Sequence, residues 1–580
     1  MIFRINTFLK VQQQFIKQKY LHKYIFKMDK AYLRHLDDDQ FEMTFKYLNP
    51  ELKVNRPFNF NRKLSETVET FSSRVSINVG KVINKKNKKG KDQETSQAKQ
   101  LLGVTWTLND KEVEKDTLCC IVFQPGNRVV MKILDKPFQV IVNSPWVDAM
   151  SLPMSILASF PTYPSKFETV FTMKALSTFT WSKSKDEKSW IDVGNDFVYT
   201  PCNDDIGHYL KLSCTPRNEQ SEGPSVETVS VCKVDASPGQ CPFEVRHQFT
   251  KERTKNNEVR VVTYNILADL YCNSDYTRTV LHPYCPPYAL EIDYRKQLIL
   301  KEIIGYNADI ICLQEVDRKV YKYDLQTVLE HLGYGSELSL KGGEVAEGLA
   351  LFYSKERFRL LETNRLVLSE HISTDEQFSD IWEKISTNDK LASRILDRST
   401  TLQTSVLDVL GQDEVLVVAN THLYFHPDSD HIRLLHGGLC IRYLENFVKE
   451  MKRKIPNKRV SLIFCGDFNS VPECGIYKLF TQGEVPKDFI DFQSNKEESI
   501  NNVELKQPFQ LASACGTPKY TNFTAGFQEC LDYIFYERNN FQVAQVVPLP
   551  SYEEVSANIA LPSVVFPSDH IALVSDLKWL

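Results

Sequence analysis

The chain has 580 residues, 42% of them hydrophobic and 25% charged, with a formal net charge of −4. A chain of this length holds about two to four domains. The composition excludes a collagenous or wholly disordered protein, and the slight acidity excludes indiscriminate polyanion binding, so any nucleic-acid site must be local.

No apolar run reaches the roughly 20 residues that a membrane-spanning helix needs. The 14 cysteines show neither CxxC pairs nor zinc-site spacing and read as reduced thiols.

Residues 1–28, MIFRINTFLKVQQQFIKQKYLHKYIFKM, are basic, without Asp or Glu, and partly amphipathic. That pattern fits a presequence for the mitochondrial matrix; a basic tail is the alternative. Met28 opens the acidic stretch MDKAYLRHLDDDQFE, so translation started there is expected to give a second, non-imported form. A strand-helix segment with a basic linker is expected over 29–99. Within it, FEMTFKYL at 41–48 alternates as a half-buried strand does. Leu64, Val68, Phe71 and Val75 share one helical face, and NKKNKKGKDQETSQAK at 84–99 reads as solvated linker.

Residues 100–245 break into short apolar runs, CCIVF, FQVIV, FTWS and YLKLSC, separated by Pro, Gly and Asn clusters. They predict a β-rich, sandwich-like accessory domain. This part carries no catalytic signature, and a docking or substrate-gating role is expected of it.

From 255 to 580 the texture becomes α/β. The clearest strand runs are VRVVTY, DIICL, GLALFY, VLVVAN, SLIFC, LDYIFY and IALVSDL. Polar residues recur at their ends: Asn265 after VVTY, Glu315 after IICLQ, His422 after VLVVANT, Asp467 and Asn469 after SLIFCG, Asp532 opening DYIFY, and Asp569 and His570 just before IALVSDL. Any one of these is an ordinary turn or capping residue. Six recurrences point to one place, because strand ends at one edge of a sheet are neighbours and α/β sheets bind ligands there.

Carboxylates gathered at one edge raise one another's pKa unless a cation joins them. Oxygen donors without thiols favour Mg²⁺, or Mn²⁺, over zinc. Such a set suits phosphoester hydrolysis, with a carboxylate on the attacking water and an imidazole on the developing charge. In GDFN, residues 467 and 469 of an extended backbone point to one side while Phe468 turns into the core.

The blocks TYNIL, LQEV, NTHL, GDFNS, LDYIF and SDH, in this order, resemble the exonuclease–endonuclease–phosphatase superfamily over roughly residues 258–580. The resemblance implies two packed sheets with helices outside, an α/β two-sheet sandwich. It implies Glu315 as the principal Mg²⁺ ligand with Asn265 near it, Asp467 on the water and the metal, and Asn469 on the phosphate. His422 and His570 would stabilise charge, Asp532 would orient His570, and Asp569 would support the metal site.

The segment HPYCPPYALEIDYRK at 282–296 resembles the insert of the deadenylase branch. In that branch the positions of Pro427 and Phe527 sandwich a base, with Tyr520 and Asn522 close by to contribute hydrogen bonds. Arg295 and Arg433 are candidate phosphate contacts.

Within the branch, YTPCNDDIGHYLKLSCTP, YTRTVLHPYCPPYALEIDYR and PSDHIALVSDLKWL look like the mitochondrial 2′,5′-phosphodiesterases. The expectation is therefore a 3′-to-5′ hydrolase of 2′,5′-linked oligoadenylate and of poly(A) ends of mitochondrial RNA, releasing 5′-AMP, without a membrane or an obligate protein partner. A nocturnin-like 2′-phosphatase of nicotinamide dinucleotide phosphate and a non-catalytic scaffold are the alternatives.

Overall fold

A computed structural model describes residues 28–36, 39–52, 54–87, 102–272 and 274–580. The expected leader, up to residue 27, and linker residues 88–99 lie outside the described residues. Two compact units result: Met1–Met150, Phe167–Trp181 and Lys211–Thr228 form one, and Ser151–Lys166, Ser182–Leu210 and Val229–Leu580 form the other.

The first unit is built on a seven-stranded sheet. Its order is Val54–Lys63, Gln40–Asn49, Asp29–His35, Lys136–Val142, Val129–Ile133, Val104–Leu108 and Lys111–Glu112. Alternation along Gln40–Asn49 buries Phe41, Met43, Phe45 and Tyr47 on one face, as the sequence pattern predicts. Asp29–His35 and Lys136–Val142 pair in parallel, so strands from both sides of residue 99 share one sheet. The boundary expected there lies within this unit, because local periodicity does not report which strands pair.

The helix Val68–Asn87 buries Val68, Phe71, Val75, Val79 and Ile83 along one face, with Phe71 against Phe41 and Trp106. It runs into the stretch expected to be linker from residue 84, since lysine propagates a helix well once Ile83 anchors the preceding turn. The β-rich reading of 100–245 is met by these strands and by a four-stranded sheet of order Ile191–Gly194, Thr178–Ser184, Tyr209–Thr215 and Val226–Lys233. All 14 cysteines are free thiols.

The second unit contains two six-stranded sheets. One runs Tyr334–Leu340, Glu347–Ser354, Ile310–Asp317, Glu258–Asn265, Leu573–Trp579, Phe541–Val546. The other runs Phe358–Val367, Thr401–Val409, Glu414–His422, Arg459–Asp467, Asp532–Glu537, Leu511–Ser513. All seven expected strand runs fall in these sheets.

Alternate residues divide the labour. Val261, Cys312 and Leu351 from the first sheet meet Leu416, Val418, Ile463, Cys465 and Ile534 from the second in one core. On the outer face of the second sheet, Val415, Val417, Leu462 and Phe464 pack with Leu434, Leu435, Leu439 and Leu444 of the helix Asp430–Lys454. Strands covered on both faces read as continuous apolar runs, as parallel strands do.

Candidate active site

Pairing register brings the polar strand ends together. Glu258–Asn265 and Ile310–Asp317 run parallel, as do Glu414–His422 and Arg459–Asp467, with His422 opposite Asp467. Asp532–Glu537 runs antiparallel to Arg459–Asp467 and sets Asp532 opposite Asp467. Gly466 precedes Asp467 because a Cβ there would sit 2.3 Å from the Thr421 carbonyl oxygen of the neighbouring strand.

Asn265 joins the two sheets: its Nδ2 donates to Glu315 Oε1 and to Asp467 Oδ2, both at 3.0 Å. The Ala268 backbone N–H donates to Glu315 Oε2 at 3.0 Å. His422 Nε2 lies 4.0 Å from Glu315 Oε1 and 3.5 Å from Asp467 Oδ2. His570 Nε2 lies 3.6 Å from Asp467 Oδ2 while its Nδ1 is 2.8 Å from Asp532 Oδ2. Glu315 and Asn469 both adopt left-handed backbone, with φ of 56° and 48°, a conformation that costs free energy and is concentrated at functional sites.

Burial pushes the Glu315 carboxyl up to about 7, with the charges of Glu347 and Asp569 adding to it. Burial likewise raises Asp467 to about 6, with Asp532 contributing. Burial works against the His570 imidazolium, but Asp532 and Asp467 outweigh it and hold the ring's pKa well above its ordinary value. Burial, then Lys341 and His570, drives His422 well below the ordinary range and keeps it neutral. Asp467, Asp532 and His570 carry ligand atoms within 4.8 Å of one another, yet an imidazolium repels a cation. The carboxylate oxygens of Glu315 and Asp467 suit a hard divalent ion better; Asn265, expected as a further ligand, instead turns its Nδ2 to both carboxylates while its Oδ1 accepts from the Leu267 N–H at 3.0 Å. Burial is the main cause of both raised carboxyl pKa values, and a bound divalent ion would favour the charged form of each.

Eight sequence-derived residues, Asn265, Glu315, His422, Asp467, Asn469, Asp532, Asp569 and His570, thus converge. Phe468 is buried in the core as expected. Asn469 departs from the extended i, i+2 picture: after Asp467 the chain turns left-handed, and Asn469 Nδ2 donates to Leu423 O at 2.9 Å while its N–H caps Asp467 Oδ1. Asp569 Oδ2 lies 3.4 Å from Asn522 Nδ2. Phe527 is 46% exposed, and Pro427 is exposed as well.

Three expected substrate contacts are corrected. Arg295 is fully buried, and its guanidinium donates to the carbonyls of Leu290, Ile266, Leu267 and Pro567, so it braces the loops behind the site instead of meeting a phosphate. Tyr520 is buried in an apolar cluster with its hydroxyl donating to Pro550 O at 2.9 Å. Arg433 is likewise internal, donating to the Tyr424 and His426 carbonyls.

The sequence reading missed a second row. Glu347, fully buried, accepts from Tyr271 Oη at 3.1 Å and pairs with Lys341 at 2.5 Å, and Lys341 Nζ lies 3.4 Å from His422 Nδ1. Its only signal was a carboxylate at the start of the run EGLALFY.

A model of the endonuclease/exonuclease/phosphatase family matches residues 262–570, and a model of the 2′,5′-phosphodiesterase 12-like N-terminal domain matches 144–235. The chain belongs to the endonuclease/exonuclease/phosphatase family. It is 44% identical to the 2′,5′-phosphodiesterase 12 of Rattus norvegicus, over 81% of this chain and 79% of the relative. A CCR4-Not complex 3′-5′-exoribonuclease subunit Ccr4 of Yarrowia lipolytica is 28% identical over 55% of this chain and 48% of its own. The solved structure of ANGEL2, a 2′,3′-cyclic phosphatase, is 23% identical and covers 56% of this chain and 96% of its own, with a TM-score of 0.46. As a member of this family the chain is a phosphoester hydrolase, and its accessory region shares the relatives' N-terminal domain.

Proposed function

We propose that the protein is a Mg²⁺-dependent phosphodiesterase that removes 5′-AMP from the 2′ or 3′ end of oligoadenylate and from poly(A) ends of RNA. The observation that carries this reading is the amide of Asn265 shared between Glu315 and Asp467, which ties the ends of two sheets into one oxygen-rich site. The name of the 44% identical relative supplies the 2′,5′ linkage, and the exoribonuclease relatives supply the RNA end.

In this reading Glu315 and Asp467 would hold the divalent ion, Asn265 Nδ2 keeps the two carboxylates in place, and Asp569 adds negative charge nearby. When bound, the ion neutralises phosphate charge. Asp467 accepts the proton of the attacking water at a carboxylate oxygen. His570 presents its Nε2–H to a non-bridging phosphate oxygen, while Asp532 fixes the ring by accepting from Nδ1–H. Neutral His422 offers a second nitrogen to the phosphate. Phe527 and Pro427 present exposed surfaces on which an adenine can stack, and stacking of this kind reads little sequence.

The test is a product assay. The purified protein with Mg²⁺ receives 2′,5′-linked and 3′,5′-linked oligoadenylate and a nicotinamide dinucleotide 2′-phosphate, with Glu315→Ala as control. AMP from the oligomers, absent with the variant, is the expected result. Inorganic phosphate from the dinucleotide alone would reassign the site to a phosphatase. The composition of residues 1–28 supports residence in the mitochondrial matrix, and the distribution of the full chain against one begun at Met28 tests that.

A further inference from the structure

The loop after His422, LYFHPDSD, leaves directly from the catalytic strand ends. The Leu423 N–H donates to Asp467 O at 3.0 Å, and the Leu423 carbonyl accepts from Asn469 Nδ2. Two residues further on, Phe425 is 70% exposed. Single exposed apolar side chains are ordinary on protein surfaces, but mobile loops usually carry them. This loop is held by three arginines.

Arg433, 4% exposed, sends one nitrogen to both carbonyls that flank Phe425, Tyr424 O at 2.9 Å and His426 O at 2.7 Å. Arg394 donates to Asp428 Oδ1 and Ser429 Oγ, both at 2.7 Å, and lies 5.6 Å from the Tyr424 ring centroid. Arg398 stands 4.6 Å from the same centroid. The rings on either side of Phe425, Tyr424 and His426, stack at an interplanar angle of 15°. Phe425 meets Tyr424 edge-on at 5.4 Å.

The fold therefore fixes the backbone on both sides of an aromatic ring while leaving the ring in water. A preorganised ring loses little freedom when a flat ligand covers it, and exposed aromatic faces beside a phosphate site are what single-stranded nucleic acid stacks on. Phe425 lies three positions after His422, a span of at most about 10 Å, which is the scale of one nucleotide.

We propose that Phe425 is a specificity-determining residue that stacks the base on the leaving side of the scissile phosphodiester, the neighbour of the adenylate being released. The inference rests on the oligoadenylate reading. It predicts that the enzyme senses the base of the nucleotide it leaves behind and not only the one it removes.

The experiment compares two substrates with the parent protein, Phe425→Ala and Phe425→Trp. One substrate is a 2′,5′-linked diadenylate; the other has an abasic ribose on the leaving side. The expected result is a roughly tenfold higher KM of Phe425→Ala for the diadenylate with kcat unchanged. The abasic substrate should show no such change, and Phe425→Trp should restore the parent KM. Equal KM changes on both substrates, or none on either, would overturn the inference while leaving the oligoadenylate reading intact. A parent protein that cleaves neither substrate would overturn that reading and this inference with it. The ring is exposed, so melting curves of the variants should superimpose on the parent's.

Discussion

Asp532 fixes the imidazole of His570: Oδ2 and Nδ1 lie 2.8 Å apart with both side chains buried, leaving Nε2 to face Asp467. Replacing the carboxylate by an amide removes the charge that sustains the imidazolium and permits the wrong ring tautomer. Asp532→Asn is expected to lower kcat about 10³-fold with little change in KM. Steady-state kinetics beside an unchanged circular dichroism spectrum checks this; a kcat within threefold of the parent would remove His570 from the stabilisation of phosphate charge.

Metal should be visible without turnover. A ligand that binds only the folded state raises its stability, so millimolar Mg²⁺ or Mn²⁺ is expected to raise the parent's Tm above its value in chelator. Glu315→Gln should lose that rise together with hydrolysis. A Tm rise that survives in Glu315→Gln would place the ion elsewhere.

Arg295 gives the opposite signature. Its charge is internal and spent on four carbonyls. Arg295→Ala is therefore expected to cost about 3–5 kcal/mol of stability, seen as a shifted urea midpoint. The salt dependence of oligonucleotide binding should stay the same for whatever folded protein remains. A weakened salt dependence would return Arg295 to the phosphate contacts.

The helix Asp430–Lys454 supplies a pH prediction. His436 is fully buried, and its pKa is lowered to about 3, first by burial and then by the charges of Arg398 and His431. The unfolded chain takes up this proton near pH 6.5 and the folded chain does not, so stability present above 6.5 is lost as pH falls toward 3. At pH 5 the loss is about 2 kcal/mol. His436→Leu should flatten the pH dependence of denaturant unfolding by that amount, and an unchanged slope would contradict the assignment.

Much of the catalytic unit was legible because its strands are covered on both faces, so VLVVAN and SLIFC stand out as uninterrupted apolar runs. The site was legible for the same reason: a carboxylate or imidazole that ends such a run contrasts with it, as Asp467 and His422 do. Glu347 was missed because it opens its strand just before GLALFY and looks like a solvated terminus, although the fold buries it beside Lys341. Arg295 and Tyr520 were misjudged because nothing local distinguishes an arginine or tyrosine pointing at carbonyls from one pointing at a ligand. Pairing across long separations, as between Asp29–His35 and Lys136–Val142, leaves no periodic trace at all.

The strand Glu258–Asn265 lies between Ile310–Asp317 and Leu573–Trp579, and Val259 pairs with Leu577, about 320 positions later. On a ribosome adding roughly 5–20 residues per second, one edge of that strand waits on the order of 15–60 s for its partner. His570 emerges just ahead of the closing strand, so the site lacks one of its two imidazoles throughout that interval. Through that interval an apolar strand edge stands open to mispairing, and the demand for chaperone protection should fall most heavily on the segment that begins at Glu258.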